Sequence, residues 1–145
     1  LSAVLIDTNV LLRRTQPSHE HFDLAVAAVA RLVEGGDDVC WTPQVAAEFW
    51  CVATRPVANN GLGFSTAEAA REIAKLERSL TLLPDLPAIY SEWLRLVTVH
   101  DVKGVRVHDA RLVASMNVHG VRNILTFNSA DFARYPVTIL APSNV

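Results

Sequence analysis

No apolar run in this sequence approaches the length a helix needs to cross a bilayer. Nothing near its start combines a basic flank, an apolar segment and a small-residue cleavage site. The expectation is a soluble cytoplasmic protein with no membrane partner. Cysteine is scarce: Cys40 lies in a strand-like run and Cys51 in a helix-like one, which suits two buried free thiols better than a disulfide. No Cys/His cluster has zinc spacing. A basic excess is missing too. The net charge is -2, from 13 basic and 15 acidic residues, whereas affinity for nucleic acid normally comes from cations facing phosphates. Four of those acids assigned to a metal site would turn the balance to +2. With 50% hydrophobic and 19% charged residues over 145, disorder is excluded as the default and a single domain, 1–145, is expected.

The apolar residues fall into alternating patterns. Ala3-Val4-Leu5-Ile6 runs unbroken into Asp7-Thr8-Asn9 and reads as a buried strand that delivers a carboxylate to the edge of a sheet. Asp7 equally suits the N-cap of a helix starting near Asn9. A short helix over Val10–Arg14 and a helix from about His19 to Val33, stopped by Gly35-Gly36, come next. Val39-Cys40-Trp41 is a second strand, and Thr42-Pro43 opens a helix through about Thr54. Residues 55–64 form a loop of a size to flap over a cleft. Ser65 and Glu68 make a capping box for the next helix, with an apolar stripe at Ala69, Ile73, Leu76 and Leu80. Thr81–Leu83 is a third strand, Pro87 to about His100 a helix, and Val107 begins another. Asn123–Phe127 and Val137–Leu140 complete five strands. Strands alternating with helices imply an α/β fold of three layers, α/β/α, around a central parallel sheet of four to five strands.

In such a sheet the loops leaving the carboxyl ends of the strands share one side, and ligands bind there where strand order reverses. Asp7 follows strand one, Glu48 lies two turns into the helix after strand two, and Asp131 follows strand four. Asp109 opens the helix that leads into strand four and must reach the same rim by another route. Each has an ordinary alternative. Glu48, ringed by apolar residues, would otherwise be one solvated position on a helix edge, and Asp109 would simply favour the helix dipole. Four converging carboxylates repel unless a cation sits among them, and hard oxygen ligands point to Mg²⁺ or Mn²⁺. Such an ion suits hydrolysis of a phosphodiester. Arg13, Arg14, Arg55, Lys103, Arg106 and Arg111 flank the acids in sequence and are candidates to bind substrate phosphates, against the commoner role of solvated surface charge. His100 and His108 read as solvated or helix-capping.

Leu5-Ile6-Asp7-Thr8-Asn9, Pro43-x4-Glu48-Phe49, Asp109-Ala110-x-Leu112-x-Ala114 and Leu125-Thr126-x-Asn128-x2-Asp131-Phe132 occur in that order, with the acids 41, 61 and 22 residues apart. From Val4 to Pro142 the chain resembles the PIN-domain ribonucleases, specifically the VapC-type toxins of VapBC toxin–antitoxin pairs. The resemblance implies a metal-dependent endoribonuclease with Asp7, Glu48 and Asp109 as the core metal-binding, catalytic acids. Asp131 takes the fourth place, Asn9 supports the first aspartate, and Thr126 and Asn128 are polar neighbours. One departure stands out. Some relatives carry an aspartate at the position of Asn128, so either Asn128 is a neutral ligand beside the acid Asp131, or Asp131 caps the following helix. The resemblance further implies an RNA substrate, a VapB-type antitoxin and a homodimer through apolar surface near 45–52 or 76–80. The competing readings are a silent PIN-like binding module and an aspartate-nucleophile phosphatase. The latter often pairs acids two residues apart, and position 9 is asparagine.

Overall fold

A short apolar strand in the middle of the sheet sets the arrangement. In a computed structural model describing residues 1–145, β1 (Ala3–Ile6) pairs in parallel with β2 (Asp38–Trp41) on one side and β4 (Asn123–Leu125) on the other. β3 (Thr81–Leu82) and β5 (Thr138–Leu140) form the edges, so the order is β3-β2-β1-β4-β5 with every pair parallel. Val4, Leu5 and Ile6 are at most 1% exposed, as a strand covered on both faces requires.

The remaining elements are α1 (Thr8–Arg13), α2 (Phe22–Glu34), α3 (Pro43–Thr54), α4 (Thr66–Ser79), α5 (Pro87–Val99) and α6 (Val107–His119). From β1 to β3 the chain steps outward in one direction, then returns across the sheet to β4. Right-handed crossovers therefore put α1–α4 on one face and α5–α6 on the other, consistent with the packing of α1 on α2 and α3, α3 on α4, and α5 on α6. This is the expected three-layer fold. No helix is long and apolar enough to cross a membrane.

Local chemistry sets the helix ends. Thr42 accepts a bond from the Val45 amide ahead of Pro43, and both halves of the Ser65/Glu68 capping box form. Gly120 ends α6 at φ 72°, a left-handed cap that glycine adopts without strain.

Several expectations need correction. α2 starts at Phe22 because the His21 amide turns back to donate to the His19 ring. β4 stops at Leu125, since Thr126 turns its side chain to the first strand's aspartate. Cys51 is exposed on α3, and only Cys40 is buried; burial pushes its thiol pKa to about 11. The 55–64 loop is no flap. The amides of Leu62, Gly63 and Phe64 bond the carbonyls of Val52, Arg55 and Ala53, folding it onto the last turn of α3, about 16 Å along that helix from Pro43. Val45, Phe49 and Leu76 are likewise buried in the core, which removes the heart of both apolar surfaces expected to pair subunits.

Candidate active site

β1 and β4 end side by side, and the chain leaves them in different directions, so a cleft opens at the carboxyl edge between them. Asp7 sits there, 8% exposed. Its Oδ1 accepts from the Thr8 amide at 2.8 Å, and its Oδ2 from the Thr126 hydroxyl at 2.8 Å and Asn9 Nδ2 at 3.1 Å. Asp7 is thus the N-cap of α1 and part of the cleft at once. Every donor to it is neutral. Burial therefore dominates and lifts its pKa from 3.8 to about 6, with Glu48 and Asp109 repelling its charge in the same direction.

Glu48 reaches the cleft from the second turn of α3. Its Oε1 accepts from the Thr8 hydroxyl at 3.1 Å and its Oε2 from Gln44 Nε2 at 3.4 Å. Gln44 Nε2 also donates to the His108 carbonyl at 2.8 Å, while Gln44 Oε1 accepts from Arg111 Nη1 at 2.9 Å. These bonds tie the start of α3 to the start of α6, which is the route by which Asp109 arrives. Partial burial raises the pKa of Asp109, and the charges of Asp131 and Glu48 add to the shift.

Asp131 lies within a 3₁₀ turn over Ser129–Phe132, and its carboxylate faces Arg106 rather than capping a helix. Arg106 Nη1 stands 2.5 Å from Asp131 Oδ1 and 3.4 Å from Asp109 Oδ2. The Asn128 amide donates to the Thr126 hydroxyl at 2.9 Å, and the Phe127 amide to Asn9 Oδ1 at 3.1 Å. The four acids and Asn9, Thr126 and Asn128 therefore occupy one rim.

The basic candidates divide. Arg106 contacts the acids directly and Arg111 adjoins them through Gln44, with Asp85 Oδ1 at 3.3 Å on its other side. Arg13 is bound to Gln16 at the far end of α1. Arg14 lies in a recess with Phe49, Glu72 and Leu76, where burial lowers its pKa. Arg55 bonds the Asn60 carbonyl inside the folded-back loop, and Lys103 pairs with Asp101.

Sequence reasoning missed Gln44, although its place one turn before Glu48 was a usable signal. It also missed the His21 ring stacked on Phe127 at 4.8 Å and 11°, for which spacing offered no sign.

As they stand, no three acidic, imidazole or thiol side chains are disposed to hold a metal ion. Thr8 and Gln44 hold Glu48, and Arg106 holds Asp109 and Asp131, so an ion requires some of these side chains to turn. The donor set nevertheless fits a hard divalent cation: all ligands are oxygen, and burial raises the pKa of two of the acids, with the charges of their neighbours adding to it. One positive group, the Arg106 guanidinium, already stands among them.

Residues 4–137 match a family model described as the PIN domain. No curated protein sequence matches the chain significantly. Among solved structures, it is similar to VapBC2 from Rickettsia felis, bound to a DNA fragment from its promoter, at 12% identity and TM-score 0.73, covering 96% of this chain and 98% of that one. It is also similar to VapBC-1 from nontypeable Haemophilus influenzae, at 14% identity and TM-score 0.71, covering 97% and 98%. VapC20 from Mycobacterium tuberculosis, a toxin that cleaves the sarcin–ricin loop, aligns at 16% identity and TM-score 0.68, covering 93% and 98%. At these identities the likeness is one of fold.

Proposed function

Because the chain belongs to the PIN domain family, we propose that it is a divalent-metal-dependent endoribonuclease, the toxin of a type II toxin–antitoxin pair. One observation carries this reading. Asp7, Glu48, Asp109 and Asp131, from segments distant in sequence, share one cleft, where burial raises the pKa of Asp7 and Asp109 and the charges of neighbouring acids add to the shift. Mg²⁺ or Mn²⁺ would be held by Asp7, Glu48 and Asp109, with Asp131 or Asn128 completing the set. When bound, it supplies an activated water and charge stabilisation at the phosphate.

The chain's own residues do the rest. Asn9 and Thr126 donate to Asp7 Oδ2 and Thr8 to Oδ1, which orients the carboxylate in the cleft. Thr8 and Gln44 orient Glu48. Arg106 and Arg111, the two guanidiniums at this rim, present the planar donor fork that suits a phosphodiester. The substrate is RNA, the partners are a VapB-type antitoxin and a second copy of the chain, and the location is the cytoplasm. The similar VapBC structures support the antitoxin. The phosphatase reading loses ground. No acid stands at position 9 to serve as the partner of an Asp7 nucleophile.

The test is cleavage of RNA by purified protein with and without added Mn²⁺, for the wild type and for Asp7→Asn. Metal-dependent cleavage abolished by the substitution is expected. Cleavage that persists in Asp7→Asn, or that needs no metal, would overturn the mechanism.

A further inference from the structure

Arg106 sits in the 3₁₀ turn Gly104–Arg106 just before α6, three residues ahead of Asp109. One of its nitrogens serves two acids, Asp131 at 2.5 Å and Asp109 at 3.4 Å. Its side chain is 52% exposed, so these pairs, not packing, set its position. The other two acids lack an equivalent. Asp7 and Glu48 accept only from neutral groups in Thr8, Asn9, Gln44 and Thr126. The positive charge of the cleft is therefore concentrated on its outer pair of acids.

A divalent ion in this cleft needs oxygens of Asp109, and of Asp131 if that acid completes the set. Those are the oxygens the guanidinium now faces. Two cations cannot share them at hydrogen-bonding distance without strong repulsion. The half-exposed Arg106 side chain can swing away without repacking the core, and the backbone before it is open. Asp101 and Gly104 both adopt left-handed backbone, at φ 49° and 62°, and nothing lies within 4 Å of where a Cβ on Gly104 would be.

We infer that Arg106 is an exchangeable internal counterion: it neutralises Asp109 and Asp131, is displaced when a divalent cation binds, and is thereby released to grip the substrate phosphate. The inference rests on the nuclease reading and adds an order of events to it. The metal site is guarded from within, and the same movement that opens it supplies a phosphate ligand. A guanidinium suits both tasks, since its fork fits carboxylate and phosphate alike.

The test separates the two cations by calorimetry with Mn²⁺ alone, on wild type, Arg106→Ala, Arg106→Lys and, as a control for general loss of positive charge, Lys75→Ala on α4. Removing the competitor should tighten Mn²⁺ binding about three- to tenfold in Arg106→Ala, with the gain shrinking as NaCl is raised. Arg106→Lys retains a competing charge and should stay near wild type, as should Lys75→Ala. Binding of a short single-stranded RNA with phosphorothioate linkages that slow cleavage, measured by fluorescence anisotropy with Mn²⁺ saturating and Asp7 intact, should weaken in Arg106→Ala and recover only partly in Arg106→Lys. Unchanged or weaker Mn²⁺ binding by Arg106→Ala would overturn the exchange while leaving the nuclease reading intact. Tighter Mn²⁺ binding in a protein that cuts no RNA would sink the nuclease reading and leave the competition standing. No Mn²⁺ binding by any variant would refute both.

Discussion

Replacing Asp7 with asparagine should change how the stability of this protein depends on pH, by an amount that follows from the site. The native carboxyl has a pKa of about 6 against an ordinary 3.8. The gap of roughly two units corresponds to about 3 kcal/mol, the cost of ionising Asp7 in its folded surroundings. Between those two values the folded state binds more protons than the unfolded one, so stability falls as pH rises. The wild type is most stable with respect to this group below about pH 4, loses stability through pH 4–6 and remains penalised above. The asparagine variant has no charge to bury at this position. Its amide cannot reproduce every bond, since both oxygens of Asp7 accept, Oδ1 from the Thr8 amide and Oδ2 from Asn9 and Thr126, and this adds an offset of about 1–3 kcal/mol that is independent of pH. The difference in unfolding free energy between the two proteins should therefore shift by about 2.4 kcal/mol in favour of Asp7→Asn from pH 4 to pH 7, whatever the offset. Urea denaturation in EDTA at pH 4, 5, 6 and 7 measures it. Saturating Mn²⁺ at pH 7 should then stabilise the wild type and not the variant, because the ion binds the ionised carboxylate of the folded state. A difference that stays flat from pH 4 to 7 would refute the claim that Asp7 is held buried against its charge.

Three further outcomes follow from neighbouring residues. Thr126→Val removes a hydroxyl that donates to Asp7 and accepts from Asn9 and the Asn128 amide; thermal denaturation should show a loss of about 1–3 kcal/mol, and NMR titration a further rise in the Asp7 pKa. Glu48→Gln keeps a group that accepts from Thr8 but removes a charge that raises Asp7, so the Asp7 pKa should fall in the same titration while Mn²⁺ affinity in calorimetry drops. Gly61→Ala would put a Cβ 1.9 Å from the Arg55 carbonyl oxygen, a clash that backbone movement must relieve; a loss of about 2–4 kcal/mol in urea denaturation is expected, with RNA cleavage per folded molecule unchanged, since this loop sits at the opposite end of α3 from Pro43.

Much of the architecture could be read locally. An unbroken apolar run ending in an acid marks a buried central strand, the Thr42-Pro43 and Ser65/Glu68 signals mark helix starts through backbone donors that need partners, and the alternation of elements dictates a parallel sheet. These features depend on residues within a few positions of one another, which is why the order of elements was legible. Their ends were less so. β4 is two residues shorter than its apolar pattern because Thr126 is taken by Asp7 from the other end of the chain, and no local pattern records that partner. Cys51 shows the same weakness: a helix most of whose residues are apolar still has an outward face.

By itself the sequence sent Asp7, Glu48 and Asp131 toward one edge of a parallel sheet, since strand direction and crossover handedness leave little choice about where the residues after a strand go. Asp109, ahead of its strand, reached that edge through the packing of α6 on α3. Only the tertiary structure decided which cations join them. It drew Arg106 to Asp131 across 25 residues and Arg111 to Gln44 across 67, and sent Arg13, Arg14 and Arg55 elsewhere. The physical reason is reach. An acid at a strand end or in the first turns of a helix is placed by backbone geometry, whereas a long basic side chain goes to whichever carboxylate or carbonyl the assembled fold brings within a few ångströms.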